Sequence, residues 1–333
     1  VKRRVLAIRL QATGDVVITL PYLNDVKHRD PEVEIDLLTR EESASIPKSL
    51  ELFSRVFALG GGRNFKLQCL WALLLMPVLL GRRYHTVLDL QNNELSRFVT
   101  RALRPERASL FDKESPIPAG ERTRRAIVQG GFANVGLATD LRPRRQTSRE
   151  ALLANVGAPR HPSGELLVVL NPAGAFPSRN WPLPNYVAFA RELRERIGQP
   201  VRFLLLGLSS LRPKADYLRN EIGSSVTDLV GRTRASEAFA LVKHADLVVS
   251  EDSGLMHMSW VSGVPTLALF GSSRGEWSRP LGDHSLCLDS SDLECRYCME
   301  PECRHGDLRC LVRRTPQEVA RLAIRLLRSE ARE

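Results

Sequence analysis

The chain has 333 residues, with 48 Lys plus Arg against 38 Asp plus Glu and a formal charge of +10 at pH 7. Its 43% hydrophobic and 26% charged residues supply a buried core and exclude a disordered or collagen-like chain, and at about 100–200 residues per domain the length points to two domains. A pI near 9.7 favours anionic ligands without choosing among nucleotides, phosphosugars, anionic lipid and nucleic acid.

Residues 5–10, VLAIRL, predict a strand. The polar QATGD that follows breaks the apolar run short of a signal-peptide core or a membrane span, so this end reads as the first strand of a cytosolic fold. Residues 16–27 have helical spacing and 33–38 are again strand-like, giving a strand, loop, helix, strand unit. Residues 67–81, LQCLWALLLMPVLLG, carry no charge but fall short of the roughly 20 residues a spanning helix requires. They predict a helix that is either packed in a core or resting on a membrane face, kinked or ended by Pro77 and followed by Arg82 and Arg83. A strand over 84–90 and a helix over 122–137 complete the first half. An arginine-rich stretch and the Pro/Gly segment GAPRHPSGE then place a domain boundary that divides the chain into 1–160 and 161–333.

The pattern restarts with strands over 166–170, 201–207, 247–249 and 266–270, alternating with helices over 185–197, 211–222, 235–244 and 253–262. A last helix over 315–327 starts with a Thr cap and Pro in its first position. The fold class is therefore α/β, two open units with parallel sheets, and the cleft between them is the expected ligand site.

Three loops between a strand and a helix could carry chemistry. Thr13, Gly14 and Asp15 follow the first strand, where glycine allows close approach and free amides can face an anion. Asp15 either caps its helix or serves as a general base toward a hydroxyl nucleophile. The loop lacks the three-glycine dinucleotide fingerprint and the Walker lysine, which sets aside hydride transfer and P-loop ATP hydrolysis. In NPAGAFPSRNWP, Arg179 could clamp phosphate oxygens or stand as a solvated loop residue, and Trp181 could stack on a base or pack in the core. In EDSGLMHMSWVSGVP, Asp252 or Ser253 caps a helix, and amides around Ser253, Gly254 and Leu255 could bind a diphosphate. His257 lies one turn further on, as a structural histidine or a ligand contact, and Glu251 suits a ribose hydroxyl or solvent.

These three segments, with VLAIRLQATGDVVITLPYL first, resemble glycosyltransferase family 9, the ADP-heptose:lipopolysaccharide heptosyltransferases, and the resemblance runs from Val5 to about Leu326. It implies a GT-B fold of two Rossmann-like domains, the first binding the acceptor, the second holding the nucleotide sugar, and the last helix crossing back. It implies an inverting transfer from an ADP-heptose donor to an anionic glycolipid acceptor, with Asp15 as base and no cofactor required. Arg179 then contacts donor phosphate where better known members have Lys, and Asp252, Ser253, Gly254 and His257 form the donor site, with Ser253 where Thr is common. The expected location is cytoplasmic, with peripheral association at the inner membrane; the oligomeric state is left open. A nucleotide-sugar epimerase of the same fold, or a transferase with another donor or glycan acceptor, are the rival enzymes. A nucleic-acid-binding protein is set aside because the basic run RPRRQTSR has no interleaved aromatics.

Five of the six cysteines lie between Cys287 and Cys310. Cys295, Cys298, Cys303 and Cys310 form C-x2-C-x4-C-x6-C, close enough to ligate a structural Zn or iron, although the spacing is not that of a standard ribbon and free thiols are the other reading.

Overall fold

A computed structural model describes residues 3–158 and 164–330, and its contacts fall into two units, Val1–Gln146 and Thr147–Glu333. The boundary read at 160 lies within 159–163, outside the described residues. By packing, the division comes earlier because the helix over residues 149–155 sits against the second unit.

The first unit runs β1 (Arg4–Ile8), α1 (Thr13–Arg29), β2 (Glu34–Arg40), α2 (Ser45–Lys48), β3 (Arg55–Leu59), α3 (Phe65–Gly81), β4 (Thr86–Asp89), α4 (Glu94–Leu103), β5 (Arg107–Leu110) and α5 (Ala119–Gln129). Its five strands are all parallel, in the order β3-β2-β1-β4-β5. The central strand β1 is buried on both faces, which is why VLAI reads as a continuous apolar run rather than an alternation. Leu6, Ile8, Leu38, Phe57, Val87 and Val99 share one of its cores.

One expectation is corrected here, and one open reading is narrowed. The helix read over 122–137 ends at Gln129, because Gly130 and Gly131 follow and Gly131 takes a φ of +94°, which a helix cannot continue. The apolar stretch before Arg82 forms a helix that runs through Pro77 to Gly81; it adds Ala72 and Leu79 to the core of this unit and leaves most of its other side chains at the surface.

The second unit runs α6 (Arg149–Asn155), β6 (Leu166–Asn171), α7 (Leu183–Ile197), β7 (Val201–Leu205), α8 (Arg212–Ile222), β8 (Val226–Asp228), α9 (Ala235–Lys243), β9 (Leu247–Glu251), α10 (Gly254–Trp260), β10 (Thr266–Leu269), α11 (Gly275–Ser278), β11 (Ser285–Leu288), α12 (Arg309–Val312) and α13 (Pro316–Glu330). Its six parallel strands are ordered β11-β10-β9-β6-β7-β8. Trp181, Tyr186 and Phe189 fill its core with strand residues Val168, Phe203 and Val249. Helix α13 lies along α7 and adds Val319, Ala320 and Ala323 to that core. Its start follows the sequence signal: Thr315 Oγ1 accepts from the Glu318 N–H at 3.2 Å, and Pro316 opens the helix.

In each sheet the chain builds outward on one side of its first strand and then returns to the other. The strand order therefore reverses between β1 and β4 in the first unit and between β6 and β9 in the second. Parallel α/β sheets bind ligands beyond the carboxyl ends of strands at such reversals.

Candidate active site

The residues that follow β1 and β4 meet at the first reversal. Gln91 Oε1 accepts from the Leu10 and Gln11 N–H groups at 2.9 and 3.1 Å, and the Arg9 guanidinium donates to the Leu90 carbonyl. Asp89, fully buried at the end of β4, accepts from the Gln91 and Asn92 amides and from the Ser96 hydroxyl, so the second loop is held as firmly as the first. Burial raises the Asp89 pKa from its ordinary value despite those bonds.

Helix α1 is capped at Ala12, which has no side-chain acceptor of its own, and Asp15 supplies one from the third helical position. Its Oδ2 accepts from the Ala12 N–H at 2.8 Å. Its Oδ1 pairs with Arg9 Nη2 at 2.9 Å, while the side chain remains 38% exposed. The capping reading thus holds without using up the carboxylate, because each oxygen keeps a lone pair directed elsewhere. Arg9 and Arg122 stack on the Phe111 ring, at 4.7 and 5.1 Å from its centroid. Burial and then Arg9 lower the Arg122 pKa, and Asp15 and then Asp112 oppose them. Thr13 Oγ1 hydrogen-bonds Ser43 Oγ at 3.0 Å. A neighbouring basic cavity of about 410 Å³ is lined by Gln11, Arg40, Arg63, Gln68 and Asn93.

At the second reversal Asn171 ties three strand ends together. Its Oδ1 accepts from Ser250 Oγ at 2.9 Å and Ser253 Oγ at 2.7 Å, and its Nδ2 donates to the Leu206 carbonyl at 2.7 Å. Ser253 is the N-cap of α10, accepting from the Met256 N–H at 3.3 Å; the amides of Gly254 and Leu255 fall in the first turn, where a helix supplies no internal acceptor. Asp252 receives hydrogen bonds from Ser273 Oγ at 2.6 Å and Ser278 Oγ at 3.4 Å, and Arg179 Nη1 lies 3.5 Å from its Oδ2. Two residues 73 apart in the sequence are thereby brought together. Arg179 also stacks on Phe176 at 5.1 Å. Gly174 permits the tight loop, since a Cβ there would collide with the Arg179 carbonyl.

One expected ligand contact is placed differently, and the open reading of Trp181 is decided. Glu251 is fully buried, and its carboxylate accepts from the Gly174 N–H at 2.6 Å, the Trp181 N–H at 2.7 Å and the Tyr186 hydroxyl at 3.2 Å. It braces the loop of Arg179 and does not face a ribose, because a strand-end residue pointing inward meets the core. Trp181 is likewise core, 1% exposed, with its indole N–H on the Arg314 carbonyl at 2.9 Å and its ring 4.9 Å from Tyr186. His257 is 7% exposed, and its Nδ1 accepts from Trp260 Nε1 at 3.1 Å, which leaves the ring proton on Nε2. Lys214, which nothing in its local sequence marks, donates to the Pro172 carbonyl at 2.7 Å and to Asn180 Oδ1. Burial lowers its pKa, and Glu251 opposes that shift.

Cys295, Cys298, Cys303 and Cys310 line one small cavity of about 20 Å³ with Ser178 and His305. Burial, followed by the three other cysteines, pushes the Cys310 thiol up to about 11. All four are free thiols, and among the described residues no group of three or more His, Cys, Asp or Glu side chains is arranged to hold a metal ion.

Residues 75–308 match the profile of glycosyltransferase family 9 (heptosyltransferase). The chain is 26% identical to lipopolysaccharide heptosyltransferase 1 of Pseudomonas aeruginosa, over 95% of this chain and 96% of that protein. Among solved structures it is similar to a family 9 glycosyl transferase from Veillonella parvula, with a TM-score of 0.80 and 16% identity over 98% of both chains. It is also similar to the E. coli ADP-heptose lps heptosyltransferase II, with a TM-score of 0.73 and 19% identity over 98% of this chain and 99% of that one. The fold is that of the GT-B transferases, and the chain belongs to glycosyltransferase family 9, an enzyme family of glycosyl transfer.

Proposed function

We propose that the protein transfers heptose from ADP-heptose to an inner-core lipopolysaccharide acceptor, with inversion at the anomeric carbon. The observation that carries this reading is the placement of the two constellations: a carboxylate with spare lone pairs at the β1/β4 reversal and an arginine beside a helix start at the β6/β9 reversal. The names of the relatives support the sugar and the class of acceptor.

In this scheme the first unit binds the acceptor and the second the donor. Asp15 takes the proton of the acceptor hydroxyl, whose oxygen bonds to the anomeric carbon on the face opposite the diphosphate. The bond from that carbon to the diphosphate oxygen breaks, and ADP leaves with the electron pair. Arg179 and the amides of Gly254 and Leu255 compensate the charge that develops on the leaving group, and His257 supports the donor from the first turn of α10. Thr13 and Gly14 shape the loop beneath the acceptor. Arg40 and Arg63 in the neighbouring cavity suit an acidic or phosphorylated acceptor sugar.

Incubation with a panel of nucleotide sugars and truncated lipopolysaccharide acceptors, read by mass spectrometry, tests the reading. A mass gain equal to one heptose, found only with ADP-heptose and acceptor together, is expected. Donor that is isomerised or hydrolysed without any acceptor product would overturn it in favour of an epimerase.

A further inference from the structure

Helix α3 is inverted relative to an ordinary surface helix. Its one amide, Gln68, is buried and donates to the Gly62 carbonyl, while the face turned to solvent is apolar. Leu70, Leu73 and Leu74 are 52, 56 and 62% exposed, and Phe65 and Trp71 nearly half exposed. Phe98 of α4 extends the same surface, lining with Phe65 and Leu73 an open cavity of about 320 Å³. An exposed patch of this kind marks an interaction surface rather than a scatter of surface leucines.

Charge identifies the partner. Arg63 and Lys66 precede or open α3, Arg83 follows it, and Arg97, Arg101 and Arg104 lie along or just past α4; all six are exposed. Between residues 63 and 104 the only exposed carboxylate among the described residues is Glu94, which lines that cavity at the start of α4; Asp89 is fully buried. A second copy docking through the same patch would set basic rim against basic rim, whereas an anionic bilayer accepts both features at once. No helix among the described residues is long and apolar enough to cross a membrane, so α3 would lie in the interface and not span it.

We infer that α3 and the Phe98 edge of α4 form a docking surface for an anionic lipid bilayer, with the leucines in the acyl boundary and the arginines on lipid phosphates. The docking stands whatever sugar donor the enzyme uses. Co-sedimentation of the full chain with vesicles of phosphatidylcholine alone, or mixed with phosphatidylglycerol, tests it. The wild type is expected to pellet with the mixed vesicles and to be released by salt. Leu70→Glu with Leu74→Glu is expected to lower partitioning at least about tenfold while glycosyl transfer to a soluble, lipid-free acceptor is kept. Arg97→Glu with Arg101→Glu, which leaves the apolar face intact, is expected to lose the preference for anionic lipid. Brominated lipid should quench wild-type tryptophan emission and fail to quench Trp71→Phe. Wild-type protein that stays in the supernatant at low salt overturns the inference. So does a wild-type dimer in sedimentation velocity that Leu70→Glu with Leu74→Glu converts to monomer, because that outcome gives the face to a second copy.

Discussion

The Trp181 N–H donates to Glu251 Oε1 at 2.7 Å, joining the loop after β6 to the end of β9 through a carboxylate that no solvent reaches. The same carboxylate holds Gly174 and Tyr186, so the Arg179 loop hangs on one buried side chain. Replacing Glu251 with Ala leaves two amides and a phenol unsatisfied in the core, at about 1–3 kcal/mol each. Glu251→Ala is therefore expected to lose several degrees of Tm or fail to fold, which thermal denaturation by circular dichroism measures. A Tm equal to wild type would show that the loop is held by other means.

Burial also lifts the Glu251 carboxyl to about 7, with the hydrogen bonds and Lys214 opposing the shift. The folded state thus keeps a proton that the unfolded chain releases at lower pH. The stabilising contribution is complete below the ordinary glutamate range and is lost as pH rises through about 7. Tm is expected to fall over that window, and Glu251→Gln to flatten the fall. The amide pays with one lost bond, because its NH2 faces the Gly174 N–H, so its Tm at acid pH should lie below wild type by the equivalent of about 1 kcal/mol.

What the sequence made legible was local. Asp15, Arg179, Asp252 and Ser253 each stand in a strand–loop–helix passage, and such passages can be read from a dozen consecutive residues. The roles of Arg9 and Gln91 were not legible, since the bonds they make, to the Leu90 carbonyl and from the Leu10 N–H, span about eighty residues and exist only because β1 pairs with β4. Glu251 adjoins the Asp252 motif, yet one step along a strand reverses the direction of a side chain and separates core from ligand face. The strands β5 and β8, RASL and VTD, carry too little apolar sequence to be read as strands, and the cysteine spacing says nothing of thiol geometry.

Asp36, like Asp89 and Glu251, is a fully buried carboxylate, and its partners are close: Arg82 Nε at 2.9 Å and Tyr84 Oη at 2.8 Å. Removing the cation leaves a buried charge without its counterion, which costs about 3–5 kcal/mol. Arg82→Ala is expected to lower the urea midpoint of the first unit, whereas Arg83→Ala, one residue on and exposed, should leave it within error.

Arg179 approaches Asp252 at 3.5 Å, a loose pairing that a diphosphate can replace with shorter bonds. Losing a charge-assisted hydrogen bond costs about 1.5–3 kcal/mol, so Arg179→Ala should weaken ADP binding roughly 10- to 100-fold in calorimetry. Arg179→Lys keeps the charge without the fork and should fall between. Equal affinities in all three proteins would remove Arg179 from the donor site.

Arg9 holds Asp15 at 2.9 Å from inside the sheet, 8% exposed against 38%, so the carboxylate is oriented from behind while its outer side stays open. If Asp15 is the base, Asp15→Asn should lower kcat at least about 10²-fold and leave ADP affinity near wild type. Asparagine can still accept the Ala12 N–H, so helix α1 is retained and the loss reports chemistry. Arg9→Met acts differently, through position: kcat should fall less than in Asp15→Asn, and ADP affinity should stay near wild type. An unchanged kcat for Asp15→Asn would return Asp15 to the role of a helix cap.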